Sequence, residues 1–165
     1  AGRSMMRPDD DAPESGDDEQ LKLAGFHVGT DVYGIDIMRI KEVIQSKPHP
    51  VRPVPHAPAI VEGVITLRGV VIPVVDLRRR FGVDIDEEIA RFNKLIIVSV
   101  RGRSVGLKVD RVLGELRLPA TEVRPAPSML SEGDEGEFFS GVCRSGGEVV
   151  FVLNLEGLLG GGKAR

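Results

Sequence analysis

The sequence predicts a mostly β protein made of two small barrels packed on one another. Three observations predict it. Twenty glycines in 165 residues, against 4% aromatics, lie scattered between short apolar runs, a pattern of many turns and short strands. The longest apolar run, Val70–Val75 with its proline included, has strand length and is far too short to span a bilayer. The third observation is an internal repeat.

Phe26-x-Val28 falls on Val98-x-Val100 at an offset of 72, which places Tyr33 on Val105 and Gly34-Ile35-x-Ile37 on Gly106-Leu107-x-Val109. Ile40 falls on Val112 at the same offset. Further on the offset becomes 78: Gly63-Val64 falls on Gly141-Val142, and Val74-Val75-Asp76-Leu77 on Val152-Leu153-Asn154-Leu155. Each half therefore runs strand, turn, strand, connector, Gly-Val strand, and a strand closed by Asp/Asn-Leu. Units this short bury their edges best by closing into barrels. The expected organisation is two intertwined barrel subdomains, roughly 21–92 and 93–160, within a folded segment covering residues 21–160.

The elements follow in order. Leu21–Val28 reads as a strand, Gly29-Thr30-Asp31 as its turn and Val32–Ile37 as the returning strand. Met38–Gln45, apolar at Ile40, Val43 and Ile44, has the spacing of one short helix or tight turn. Lys47–Pro58 holds five prolines, which excludes a central strand or helix interior and leaves an extended connector. Ala59–Ile65 and Val70–Val75 are strands joined through Thr66-Leu67-Arg68-Gly69. Asp76 is placed to cap a short helix over Leu77–Phe81, with Gly82 as its stop. Arg78, Arg79 and Arg80 read as the solvated face of that helix. Leu95–Val100 and Ser104–Val109 form a hairpin, as do Phe139–Arg144 and Glu148–Leu153. Arg124–Pro127 is a second connector, Ser131–Glu137 an acidic loop, and Asn154–Leu159 a closing helical turn.

Charge is uneven. Residues 1–20 carry two basic and seven acidic side chains and almost no large apolar ones, so they read as a disordered acidic tail. The opening Ala1-Gly2-Arg3-Ser4 reads as a cloning scar ahead of Met5 or Met6, and residues 161–165 as a flexible terminus. The formal net charge of −3, one tyrosine and no tryptophan argue against a nucleic-acid surface, which needs a basic stripe and stacking aromatics. The single cysteine, Cys143, sits in a strand pattern and reads as a small buried hydrophobe, with a hydrolase nucleophile as the alternative. His27, His49 and His56 follow no metal-ligand spacing. No catalytic, cofactor or metal residues stand out, and the expected compartment is the reducing cytoplasm.

Arg68 differs from the other arginines. The glycine beside it lets the backbone approach another element closely, and an arginine placed there can anchor a partner. The segment from Gly63 to Arg78, Gly-Val-Ile-Thr-Leu-Arg-Gly-Val-Val-Ile-Pro-Val-Val-Asp-Leu-Arg, resembles the signature of the CheW family, the coupling proteins of bacterial chemotaxis. Tyr33-Gly34-Ile35-Asp36-Ile37, Lys41-Glu42-Val43 and Val105-Gly106-Leu107-x-Val109-Asp110-x-Val112 are similar to the family pattern as well, so the resemblance spans the folded segment. It implies two five-stranded SH3-like barrels and a scaffold without enzymatic activity. Such a scaffold links the cytoplasmic tips of transmembrane chemoreceptors to a CheA-type histidine kinase, in rings that can include further coupling proteins. By the same resemblance Ile40, Gly63, Arg68 and Val112 are expected to contact the receptor, Glu42 and Ile44 the kinase regulatory domain, and Arg124 and Met129 the ring neighbours. A related pathway controlling surface motility, pili or development is the alternative.

Overall fold

A computed structural model describes residues 19–90, 92–125 and 138–160. Chain order is β1 (Gln20–Val28), β2 (Asp31–Asp36), a 3-10 turn at Ile37–Arg39, β3 (Ile40–Gln45), β4 (Val61–Leu67) and β5 (Val70–Asp76). Then come α1 (Leu77–Arg80), α2 (Glu87–Ala90), β6 (Lys94–Val100), β7 (Arg103–Val109), β8 (Arg111–Pro119) and a 3-10 turn at Ala120–Glu122. β9 (Phe139–Ser145), β10 (Glu148–Leu153) and α3 (Leu155–Gly160) complete the described chain.

The strands form two five-stranded sheets, in the orders β9-β10-β2-β1-β8 and β3-β6-β7-β5-β4. The first, the terminal barrel, takes the outer parts of the sequence, and the second, the central barrel, takes the middle. Neither follows the expected halves 21–92 and 93–160. Each sheet joins the opening hairpin of one repeat to the last three strands of the other, and the boundary at 92/93 falls inside the central barrel. The repeat survives this exchange residue by residue. Parallel pairing sets Val152 on Gly34 in the terminal barrel and Val74 on Gly106 in the central one, the same pair under the two offsets. The connectors match too: Arg52 bridges to Val64 and Arg124 to Val142.

Gly63 and Gly141 explain that last pair. A Cβ at Gly63 would run into the Arg52 carbonyl, and one at Gly141 would lie 2.8 Å from the Arg124 oxygen and 2.7 Å from Val123 Cγ1. The connector can lie against β4 or β9 because the strand carries no side chain there.

Three apolar clusters hold the molecule together. The central barrel closes on Ile65, Leu67, Ile72, Val74, Leu95 and Ile97. The terminal barrel closes on Leu23, Val32, Leu118, Cys143, Val150 and Val152. The largest cluster lies between the barrels, where Phe26, Tyr33 and Ile35 meet Val75, Ile96, Val98 and Leu107. Phe81, following α1, stacks on Tyr33 across this seam at 4.9 Å between ring centroids.

Two local expectations are corrected, and one strand appears that the sequence reading did not assign. The helix or tight turn expected over Met38–Gln45 is confined to the 3-10 turn ending at Arg39, and residues 40–45 are a strand: Ile40, Glu42 and Ile44 are half-buried and alternate with exposed neighbours, and β3 pairs with β6 from Ile40↔Val98 to Gln45↔Lys94. β8 has no counterpart in the sequence reading, because its mostly exposed residues and Gly114 mask any alternation. The arginine triplet is not one solvated face. Arg78 is 3% exposed, and its Nε and Nη2 donate to the Asp76 carboxylate at 3.0 Å each. Asp76 does cap α1, accepting from Arg78 N at 3.0 Å.

Candidate interaction surface

Arg68 and Gly69 form a two-residue hairpin tip between β4 and β5 with φ of 51° and 82°. Positive φ at both positions suits the right-handed twist of the flanking strands and costs a non-glycine residue some strain. The result is a tight tip that leaves the Arg68 side chain 67% exposed. Its guanidinium pairs with the carboxylate of Glu42 on β3. Two residues 26 apart, expected to serve different partners, thus sit side by side on the central barrel. Val70 and Val71, directly after the tip, are 56% and 62% exposed, and Val43 is exposed on the face of β3 opposite Glu42. These valines lay hidden in ordinary strand patterns, and their orientation is visible only once register is known.

Ile40 and Val112 occupy equivalent places. Ile40 pairs with Val98 and Val112 with Phe26, and both are partly buried against the cluster between the barrels. Val112 also lines a depression of about 370 Å³ with Phe92, Lys94 and Arg111. Gly63 is buried beneath the Arg52 connector, and Ile44 packs on the central barrel's own core. Arg124 is exposed on the terminal barrel and lines a depression of about 440 Å³ with Glu122 and Val149. Met129 lies outside the described residues, as do the acidic loop at 131–137 and the tail through residue 18.

Cys143 occupies the core place that Ile65 holds in the other half, and burial, with the Glu122 charge, pushes its thiol pKa up, away from a reactive thiolate. The Tyr33 phenol is pushed up to about 12, by burial first and the Asp31 charge second, and stays neutral in the seam. Among the described residues no three His, Cys, Asp or Glu side chains are grouped to hold a metal, and no helix is long and apolar enough to cross a membrane.

The CheW-like domain family matches residues 22–162. The chain belongs to that family. CheW-family proteins are chemotaxis adaptors that act as scaffolds, and the Leu67-Arg68-Gly69 to Asp76-Leu77-Arg78 segment that pointed to them is here the β4–β5 hairpin and the cap of α1. The chain is 34% identical over 152 residues to chemotaxis protein CheW of Treponema pallidum, covering 88% of this chain and 86% of the relative. It is 36% identical over 135 residues to chemotaxis protein CheW of Rhizobium meliloti, covering 82% and 84%. The structure of the scaffolding protein TtCheW from Thermoanaerobacter tengcongensis superposes with a TM-score of 0.75 at 28% identity, covering 85% of this chain and 92% of that one. Protein FrzA of Myxococcus xanthus is 29% identical over 136 residues, covering 81% and 82%.

Proposed function

We propose that this CheW-like protein works in the cytoplasm, coupling the tips of transmembrane chemoreceptors to a CheA-type histidine kinase. The observation that carries the reading is the central-barrel hairpin tip: an exposed Arg68 paired to Glu42, followed in the chain by the exposed Val70 and Val71. An apolar surface with a charged anchor at its rim suits a receptor tip, which is a helical hairpin with one apolar face. Ile40 and Val112 extend the receptor surface along the seam, while Gly63 supports it from below. Glu42 and Ile44 belong to the face offered to the kinase regulatory domain, and Arg124 and Met129 to contacts within a ring.

The test is calorimetric titration with the barrel-type regulatory domain of a CheA-like kinase and with a receptor-tip hairpin from the same organism. Binding to both in the micromolar range, about −8 kcal/mol, is the expected result. Arg68→Ala should weaken the receptor tip about tenfold, about 1.4 kcal/mol, and leave kinase binding and the fold intact. Equal loss of both partners contradicts the assignment.

The likeness to FrzA, a relative not named for chemotaxis, supports a second reading in which the same contacts serve a related pathway with another output. Titration against the kinase domains of each chemosensory system in the organism separates the two.

A further inference from the structure

The chain crosses between the barrels twice, and an ion pair clasps each crossing. At the first, from β2 to β3, Arg39 donates from Nε to the Ser99 carbonyl of β6 at 3.1 Å and from Nη2 to Glu156 Oε2 of α3 at 2.5 Å. One planar guanidinium thereby ties the barrel the chain leaves to the barrel it joins. At the second crossing, from β7 to β8, Asp110 does the same with the charge reversed. Its Oδ2 accepts from Gly29 N of the terminal barrel at 2.7 Å, and its Oδ1 from Arg78 Nη1 of the central barrel at 3.3 Å. Its own N–H donates to the His27 carbonyl, and His27 is the repeat partner of Ser99, as Arg78 is of Glu156.

The clasps differ in their access to water. The Arg78 and Asp110 side chains are 3% and 16% exposed, whereas those of Arg39 and Glu156 are 28% and 42% exposed. Salt screens a pair in contact with water and screens a buried pair much less. Each clasp also stands close before a seam residue: Arg39 lies one residue before Ile40, and Asp110 two residues before Val112.

We propose that Arg39 and Glu156 are positioning residues for the inter-barrel seam, forming the releasable one of two clasps. Their pair holds the wall that carries Ile40 in place and lets it loosen as ionic strength rises. The Arg78–Asp110 pair holds the Val112 wall across the same range. The link to signalling rests on the receptor-coupling function proposed above; the asymmetry of the clasps does not.

Amide hydrogen exchange on the full chain tests the clasp directly. The Ile40 amide, which donates to the Ile37 carbonyl, is the reporter. Raising salt from about 0.05 to about 0.5 M should speed its exchange several-fold and leave Val112 nearly unchanged. In Glu156→Gln the Ile40 amide should exchange fast at low salt and lose its salt response. Equal salt responses at Ile40 and Val112, or a Glu156→Gln protein that behaves like the wild type, would overturn the proposal. Titration with the receptor-tip hairpin and the kinase domain supplies the functional arm. Glu156→Gln should weaken the tip several-fold and leave the kinase domain unaffected; equal weakening of both removes the positioning role. If the wild type binds no receptor tip while the exchange asymmetry is present, the coupling function fails and the clasp stands.

Discussion

Gly63 and Gly106 are both buried strand glycines, yet they face opposite consequences on gaining a methyl group. At Gly63 the new Cβ meets the Arg52 carbonyl, which accepts from Val64 N while Arg52 N donates to the Val64 carbonyl, so the connector is pinned there and cannot easily yield. At Gly106 the nearest atom is the tip of Ile97, 3.4 Å away. Gly63→Ala should therefore destabilise by about 2 kcal/mol through overpacking, while Gly106→Ala should stay within about 1 kcal/mol of the wild type. Urea unfolding midpoints measure both, and a Gly63→Ala protein as stable as the wild type contradicts the close approach. The same comparison bears on Gly63 as a receptor-surface residue: any loss of binding on its substitution should track the loss of stability. Arg78 shows where single-residue reading stops. Burial opposes its charge, but the hydrogen bonds and charge of Asp76, with Asp110, outweigh that and raise its pKa. Nothing in a run of three arginines says which one turns inward, because one of its acidic partners lies 32 residues away.

Short elements reveal themselves unevenly. The hairpins were legible because turn glycines mark their tips and alternation marks their arms. β3 is ambiguous along the sequence because three apolar residues in six suit a helical turn as well as a half-buried strand, and the choice is made by β6, which lies far along the chain. At α3 the clasp makes a pH prediction. The hydrogen bond from Arg39 lowers the Glu156 pKa, burial works against it, and the charges of Arg39 and Arg101 add to the lowering. A carboxylate with a lowered folded-state pKa contributes stability that is fully present above its unfolded pKa and is lost as pH falls through the folded one. The difference in melting temperature between the wild type and Glu156→Gln should accordingly be constant around neutral pH and vanish on acidification below the usual carboxylate range. A difference that grows as the solution is acidified contradicts the sign.

At the scale of the whole molecule, each barrel needs strands from both halves of the chain. The hairpin β6–β7 completes the central barrel, and β8–β10 complete the terminal one. A fragment spanning residues 93–160 should thus lack a closed core and show no cooperative unfolding, while mixing it with residues 19–92 should restore a cooperative transition. Cooperative folding of the isolated fragment would mean that the halves can close on themselves. The repeat, the hairpins, the capped helix and the family signature could all be read along the chain, because turn chemistry, alternation and capping act over a few residues. Other features came only from contacts between distant segments: the exchange of hairpins between barrels, the inward turn of Arg78, the meeting of Arg68 with Glu42, and the opposite polarity of the two clasps. Pairing Gly34 with Val152 joins residues that no local pattern connects, and burial and charge pairing at such places depend on which surfaces the closed barrels bring together.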